Sequence, residues 1–563
     1  MTLLLGLAVL VSTVRGEDKS DQPQSFTFRI TGLFMPEREP DLHKLFETQP
    51  LLELVSVDYE KAEAVIAWDT SKLWHDQQPE KYAELLNNRL RGNSRGAFGA
   101  RPLSTTPWDK LKQIEIPVAV LDCKACSFAA YEMIFKLPGV ERATTSFKTR
   151  KVTARIDPEQ IDRAALEAAL KKGGVELPAV ILRELGGSFL NGGEELRIGG
   201  EKMGDDQLRF LGRLDPPLKK LQIRGDSKVT SAGLQRIATL TGLEELSISL
   251  PDLKDDDVAA LAALTGLRKL TLRSDRKEGL SLTPTGLAPL VALTQVEQLG
   301  IGGHAFPPAV LATLPEVFPR IKSLDMNHTF SNNADTLRAF ARLQHLERII
   351  LGGNPWLPED AMAEVGKMRS LRELNLVHTG EEHFGTAVRS LEGHPNLRRI
   401  EMAVRGDQLT DDLAPIFLTI PHLEVFTFGN DPGPLTDAAV EIIARHPKIH
   451  TLDLAHPGFS DAVTQKLAGM PALHTLKIGA AHFTDAVLEP LADVQGLRVL
   501  EIGNGFRSPV ITDAAVAPLA RLSRIERISF FLHPNATFSE EALAALKKQL
   551  PEAKIELRRK ENP

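Results

Sequence analysis

Residues 436–478 read TDAAVEIIARHPKIHTLDLAHPGFSDAVTQKLAGMPALHTLKI, and most of the fold follows from this stretch. The pattern apolar-x-x-apolar-x-apolar occurs twice in it, at Ile449-Leu452-Leu454 and at Leu473-Leu476-Ile478. Short alternation of this kind reads as a strand. Ahead of each strand lies a segment opening on Thr436-Asp437 or Ser460-Asp461. A Thr or Ser hydroxyl caps the first free N–H groups of a helix, and an acidic residue just inside suits the helix dipole. Working outward, the pattern begins again at Leu218, Leu243, Leu267, Val296, Ile321, Leu346, Leu371, Leu397, Leu423, Leu497 and Ile525. The mean step from Leu218 to Ile525 is about 25.6 residues, with single steps of 24 to 29. Weaker units at Leu196/Ile198 and Ile555/Leu557 bring the total to about fifteen, starting near Gly193. The helix start recurs at Thr410-Asp411, Thr484-Asp485 and Thr512-Asp513, and TDAAVAPLARL places Val516, Leu519 and Leu522 on one face.

One strand and one helix per unit of this length resembles the ribonuclease-inhibitor and F-box classes of bacterial-type leucine-rich repeat. The resemblance implies a β-α leucine-rich-repeat solenoid over residues 193–563, with a concave parallel sheet. The family's Asn or Cys at the ninth position is mostly absent, Asn354 being an exception. Strand positions free of core duty hold Lys219, Lys220, Arg268 and Lys269 around Glu244 and Glu245, then mixed charges with Ile350, Val377 and Val425. Taken singly these read as a solvated face. Taken as a surface they read as a docking face for a protein or other large partner, on fold analogy alone. His450 and His474 share a repeat position, which predicts side chains about 5 Å apart. Metal ligation there would need a third partner, and chance surface placement is the plainer reading. His328, His378 and His456 read as solvated loop-edge residues.

Residues 114–175 follow another rhythm. IEIPVAVL alternates Ile114, Ile116, Val118 and Val120 on one strand face. Asp122-Cys123-Lys124-Ala125-Cys126 follows, then SFAAYEMIFKL with Ala130, Ile134 and Leu137 at helical spacing, broken by Pro138-Gly139. ERATTSFKTRKVTARID reads as two strands turning near Lys148 to Arg150. DPEQIDRAALEAALKKGG reads as a second helix, from Asp157-Pro158 to Gly173-Gly174. Room remains for a last strand at VELPAVIL, residues 175–182.

Ala130, Ile134 and Leu137 stand four, eight and eleven residues after Cys126, Pro138-Gly139-Val140 comes next, and the hairpin closes on Asp157-Pro158. In these features residues 110–182 resemble the heavy-metal-associated (HMA) domains of metallochaperones and metal-pumping ATPases. The agreement runs over some sixty residues, with Val120 and Leu121 where the family has Gly and Met. The resemblance implies a ferredoxin-like βαββαβ fold with a soft metal held by Cys123 and Cys126. The Asp-Cys-x-x-Cys form looks like the variant in zinc, cadmium and lead exporters. That adds Asp122 as a third ligand and makes Zn(II) as good an expectation as Cu(I).

Physical chemistry points the same way. Backbone N–H groups and the dipole at a helix N-terminus favour thiolate over thiol. Thiolate pairs select Cu(I), Zn(II) or similar ions, and Lys124 adds positive charge between the two cysteines. Three readings stay open: reversible metal binding, a structural or redox disulfide in an oxidising compartment, and an idle pair. A thioredoxin-type enzyme is disfavoured, because the aromatic-Cys-Gly-Pro-Cys motif is absent.

Residues 24–92 repeat the plan. SFTFRITGL is a strand, PDLHKLFET a short helix, PLLELVSVDYEKAEAVIAWD a hairpin and EKYAELLNNRL the second helix. Gly32-Leu33-Phe34-Met35-Pro36-Glu37-Arg38 stands where G-M-x-C-x-x-C would be, with Met35 and Arg38 at the cysteine positions. A thioether beside a guanidinium is a poor metal site. The module therefore reads as a degenerate HMA-like copy that has lost its ligands and packs against the second. The Gly/Arg/Ser/Pro-rich stretch from Arg91 to Thr106 reads as a linker.

Leu3 to Val11 form a nine-residue apolar run, and Val14-Arg15-Gly16 fits a signal-peptidase site. Residues 1–16 are thus expected to be a signal peptide, and the mature chain to be exported, periplasmic or extracellular, with no transmembrane segment. Across 563 residues, 67 Lys plus Arg against 74 Asp plus Glu give −7, the wrong sign for a dedicated nucleic-acid binder. Two cysteines exclude a disulfide-rich scaffold, a four-cysteine zinc site and a cysteine-ligated iron–sulfur cluster. A Gly-rich phosphate loop, Gly-x-Ser-x-Gly and His-Glu-x-x-His are all missing, so no enzyme is expected. The expectation is an exported binding protein, with a soft metal on the thiol pair and a partner on the repeat scaffold. The alternatives are an extracytoplasmic thiol–disulfide component and a purely structural interaction scaffold.

Overall fold

The computed structural model of the chain describes residues 23–559 apart from 251–252, 275–281, 304–305, 330–332, 355, 404–406, 430–432, 504–508 and 533–536. The expected signal peptide, residues 1–16, lies outside the described residues. Two compact units result: one reaches to Leu185 and includes Phe210–Pro217, the other joins Gly186–Arg209 to Leu218–Pro563.

The first unit holds two modules. Alternating apolar residues make β1 (Gln24–Thr31), followed by α1 (Glu39–Glu47), β2 (Glu53–Asp58), β3 (Glu63–Trp68), α2 (Tyr82–Asn93) and β4 (Gly99–Arg101). The strands lie in the order β2-β3-β1-β4, antiparallel throughout. Phe28 and Ile30 of β1, Leu42 and Phe46 of α1, Ile66 and Trp68 of β3, and Leu86 and Leu90 of α2 fill the core. β4 falls in the stretch expected as linker. Its glycine is steric in origin: a Cβ on Gly99 would stand 2.4 Å from Asn87 Oδ1 and 2.8 Å from Thr31 Oγ1. The composition that looked like a linker is what lets the strand close onto α2 and β1.

The second module comprises β5 (Lys112–Pro117), α3 (Lys124–Phe135), β6 (Val140–Ser146), β7 (Lys151–Ile156) and α4 (Arg163–Lys172), with strand order β5-β7-β6. Three expectations change here. Ile114, Ile116 and Val118 are buried, but β5 stops at Pro117 and Val120 is 53% exposed. The second helix begins after Asp162, which caps it. Asp157 instead closes a turn, accepting from Glu159 N, Gln160 Nε2 and Thr106 Oγ1 at 2.8–3.0 Å. The last strand is replaced by α5 (Pro178–Glu184), so the second module is βαββαα rather than βαββαβ. Pro178 lacks an N–H for a ladder and suits the first turn of a helix, so only Glu176 O reaches back, to Ala119 N at 2.8 Å.

The loop after β1 in the first module is a plug. Phe34 and Met35 (2% exposed) belong to the core of the second module, beside Ile116, Tyr131 and Ile134. Phe34 meets the rings of Phe128 and Tyr131 at 5.5 and 5.4 Å. Gly32 N donates to Tyr131 Oη at 2.8 Å, and Thr145 N to Phe34 O at 2.8 Å. Arg142, buried, donates to Leu33 O at 2.6 Å and Tyr59 O at 3.0 Å. Burial draws the Arg29, Arg101 and Arg142 guanidiniums below their ordinary pKa, while the neighbouring carbonyls they bond supply acceptors. Phe34 and Met35 thus bury apolar surface worth about 1.5–3 kcal/mol each.

The second unit is one sixteen-stranded sheet. It opens with β8 (Ser188–Leu190), antiparallel to β9 (Glu195–Ile198), and from β9 to Lys554–Arg559 neighbouring strands are parallel and in register. β8 precedes the expected start and covers the free edge of β9. In each strand the apolar residues, such as Leu221/Ile223 and Leu476/Ile478, are buried under the helical segments, while Lys220/Gln222 and Thr475/Lys477 face the open side. Several of those segments are 3-10 helix, as at Asp461–Leu467 and Asp485–Asp493. The repeats thus stack as a solenoid of one strand and one helical segment each, the architecture expected of a leucine-rich-repeat array.

Two ladders tie successive repeats. In the first, the Asp inside each cap accepts both the N–H and the O–H of the next repeat's cap residue: Thr436 onto Asp411 at 2.9 and 2.6 Å, Thr484 onto Asp461 at 2.9 and 2.6 Å, Ser539 onto Asp513 at 2.7 and 2.9 Å. The second runs through the buried side chains of Thr329, Asn354 and Thr379. Thr329 Oγ1 donates to Met326 O at 2.7 Å, Asn354 Nδ2 to Met326 O and Leu351 O at 2.9 and 2.7 Å, and Thr379 Oγ1 to Leu351 O at 2.6 Å.

Candidate functional site

The thiol pair sits where β5 hands over to α3. Cys123 is the N-cap, extended in backbone, and its sulfur accepts from Cys126 N at 3.0 Å. A cap at i and a first-turn residue at i+3 share one side of the helix tip, so the spacing alone brings the two sulfurs together. Below them Leu121 is buried in the module core, and Ser127, Ala130, Tyr131 and Ile134 anchor the inner face of α3. Arg213 donates to Ala119 O and Lys151 bridges Glu115 and Asp215 at 2.8 and 2.7 Å, which fixes the loop and the strand leading to it.

Cys123, Cys126 and Asp122 reach solvent, and their ligand atoms all lie within 4.8 Å of one another. Asp122 Oδ1 is 3.5 Å from Cys126 Sγ. The two sulfurs lie at disulfide distance, with Cα atoms 5.2 Å apart. Two sulfurs and a carboxylate at the positive end of a twelve-residue helix suit a soft or borderline cation, whose tetrahedral ligands stand about 3–4 Å apart. The donor set therefore fits a metal when reduced and a disulfide when oxidised. Both chemistries use the same two atoms.

On the open face of the array, charges expected to be mixed are paired across strands: Lys219 with Glu194 at 2.9 Å, Lys322 with Glu297 at 2.9 Å, Arg348 with Glu373 at 3.1 Å and Lys477 with Glu501 at 2.8 Å. His450 and His474 stack at 4.6 Å, as their register predicts, each with Nδ1 on the next threonine's Oγ1 at 3.0 and 2.9 Å. Burial, then the neighbouring His450, lowers the His474 pKa. Asp453, three residues after His450, is pushed up to about 7 by burial, helped by Glu501 and Glu401 against Lys477. Nothing in the sequence flagged it, because the charges around it come from three other repeats.

One histidine reading needs revision. His456 is buried rather than solvated, with Nδ1 accepting from Gly458 N at 3.0 Å and its ring against Phe459. His394 and His446, at equivalent His-Pro turns, are buried too. Their Nε2 atoms meet Met368 O and Ile420 O at 3.2 and 2.9 Å, and Nδ1 accepts backbone N–H groups. Among the described residues, no helix is long and apolar enough to cross a membrane.

No protein-family model and no curated protein matches the chain. Among solved structures, it is similar to an internalin from Listeria monocytogenes at 14% identity and TM-score 0.32, over 69% of this chain and 92% of the other. The yeast Rad7–Elc1 complex gives 15% and 0.37, over 58% and 83%. TLR13 crystallised with ssRNA13 gives 17% and 0.30, over 65% and 50%. Such low superposition leaves the array's register, not these likenesses, as the ground for its architecture.

Proposed function

We propose that the chain is an exported binding protein: a reversible soft-metal site on the second module, and a partner-docking scaffold in the repeats. The observation that carries the metal reading is the meeting of Cys123, Cys126 and Asp122 within 4.8 Å at an exposed helix tip. Strand orders β2-β3-β1-β4 and β5-β7-β6, each with two helices in the matching chain positions, support a ferredoxin-like reading of both modules, the second with its edge strand lost. In the reduced pair the helix N-terminus favours thiolate, Cys123 and Cys126 supply the soft donors, and Asp122 supplies a harder one, so Zn(II) and Cu(I) are equal candidates. No reaction at the metal is invoked. The open face of the array, free of core duty and rich in exchangeable ion pairs, supports the partner reading.

A second reading has its own observation. The sulfurs already lie at disulfide distance, as an oxidising compartment outside the cytoplasm would hold them, so a thiol–disulfide component is the rival. Anaerobic titration of the reduced full chain separates the two. Uptake of one Zn(II) or Cu(I) per chain, abolished in Cys123→Ser and weakened in Asp122→Asn, supports metal binding. A reversible two-electron couple without metal uptake supports the rival and rejects the metal site. For the scaffold, a photo-crosslinking amino acid at Thr427 on the open face should yield partner adducts in cells, and one at Lys547 on the helical side should not. The absence of adducts from open-face positions would reject docking there.

A further inference from the structure

We propose that the first seven parallel strands of the array form a trough that docks an acidic polypeptide segment of a partner protein. This rests on the scaffold reading above and narrows it to a place and a chemistry. The open face over these strands encloses about 800 Å³. Its floor is made of small, polar or absent side chains: Ser247, Thr271 and Gly300 stand in register on adjacent strands. A Cβ on Gly300 would come within 2.9 Å of Thr271 Oγ1, so the depression depends on that glycine.

Cations stand on both sides of this floor. Lys220, Lys269 and Arg348 belong to one row of register positions, and Arg224 and Arg273 to a row four residues further along the strands. Four residues of strand separate the rows by about 13 Å, and neighbours within a row by about 4.8 Å per strand. With Arg197 the lining holds six cations against three carboxylates, while the chain as a whole carries −7. Asp226 and Glu373 reach in from the rim to pair with Arg224 and Arg348, so six cations meet five carboxylates and the trough carries a small positive excess in a chain that is negative as a whole. Lys220 takes the carboxylate of Glu245, which leaves Lys269, between Glu245 and Gln298, without an ion pair among the described residues. The pairs Arg273–Asp325, Arg197–Glu195, Arg224–Asp226 and Arg348–Glu373, at 3.3, 2.8, 3.3 and 3.1 Å, are partly exposed, and exchanging their carboxylates for a partner's costs little.

The chemistry selects a polypeptide. Guanidiniums take carboxylates through paired hydrogen bonds, and the Gln222, Thr271 and Gln298 side chains offer donors and acceptors to peptide groups. No aromatic ring lines the trough among the described residues, so nucleic-acid bases have nothing to stack on.

The test is fluorescence anisotropy on the full chain with a labelled sixteen-residue Glu-rich peptide at low and moderate salt. Binding should weaken at least tenfold in Lys269→Glu/Arg273→Glu, whose far-UV spectrum and melting should match the parent's. It should weaken with salt, vanish for the Gln-for-Glu peptide, and stay within twofold in Lys477→Glu, a charge reversal elsewhere on the same face. Equal binding to the double variant, no binding to the parent at low salt, or tighter binding of a single-stranded oligonucleotide of equal charge each overturns the trough. Adducts at Thr427 alongside such a failure would leave the scaffold reading intact, whereas no adducts from the open face would remove both.

Discussion

Replacing one carboxylate of the cap ladder, Asp461→Ala, should weaken the array at a single joint between repeats. Asp461 accepts Thr484 N–H at 2.9 Å and Thr484 O–H at 2.6 Å, one bond to each carboxylate oxygen. It also stands at the first position of its own helical segment, capped by Ser460. A solvent-screened hydrogen bond to a charged group is worth about 0.5–1 kcal/mol, and a first-turn carboxylate about 0.3–0.5 kcal/mol. The expected loss is about 1.3–2.5 kcal/mol. Asp461→Asn keeps one neutral acceptor and should lose roughly half of that. In a double-mutant cycle with Thr484→Ala the two changes should fall short of additivity by about 0.5–1 kcal/mol, because the hydroxyl and its acceptor disappear together. Guanidinium denaturation gives the free energies, and hydrogen exchange gives the location. Repeats communicate only through neighbours, so protection should fall around Thr451–Leu454 and Thr475–Ile478 and not in the first repeats. A loss below 0.3 kcal/mol, or strict additivity in the cycle, would show that the ladder follows stacking and does not hold it.

Two further outcomes follow from buried groups. Phe34→Ala removes a plug ring from the second module's core and should cost the first unit about 3–5 kcal/mol in thermal unfolding, whereas Phe34→Leu should cost under about 1.5 kcal/mol; equal small losses would mean the modules do not depend on the plug. Burial lowers the pKa of His394 and His446, so both are held neutral in the fold and charge more readily when unfolded. Their contribution is whole above the unfolded value near 6.5 and is lost as pH falls below it toward the folded values. Stability measured from pH 7.5 to 5 should therefore decline, and His394→Gln/His446→Gln should flatten the decline; an unchanged slope would assign it to other groups.

The sequence by itself determined whatever has a short period. The strands of the array, the Thr-Asp helix starts and the placing of Cys123 and Cys126 at one helix tip depend on residues three to six apart, and their spacing states the geometry. Even His450 over His474 was legible, because a repeat turns register into distance. What spacing does not contain is the neighbour supplied from far along the chain. Asp461 reads as a dipole partner until the next repeat brings Thr484 across to it, and Met35 reads as a lost ligand until the second module closes over it. The short strand Gly99–Arg101 hides in linker composition because the reason for its glycine, Asn87, lies on a helix twelve residues back. The helix Pro178–Glu184 stands where a last strand was expected, because Pro178 has no N–H to give a ladder and suits a helix's first turn. Cations scattered over seven repeats become a trough only when the sheet sets them in two rows. Local bonding preferences are written along the chain, whereas burial and charge pairing depend on which surfaces meet, and only the assembled molecule decides that.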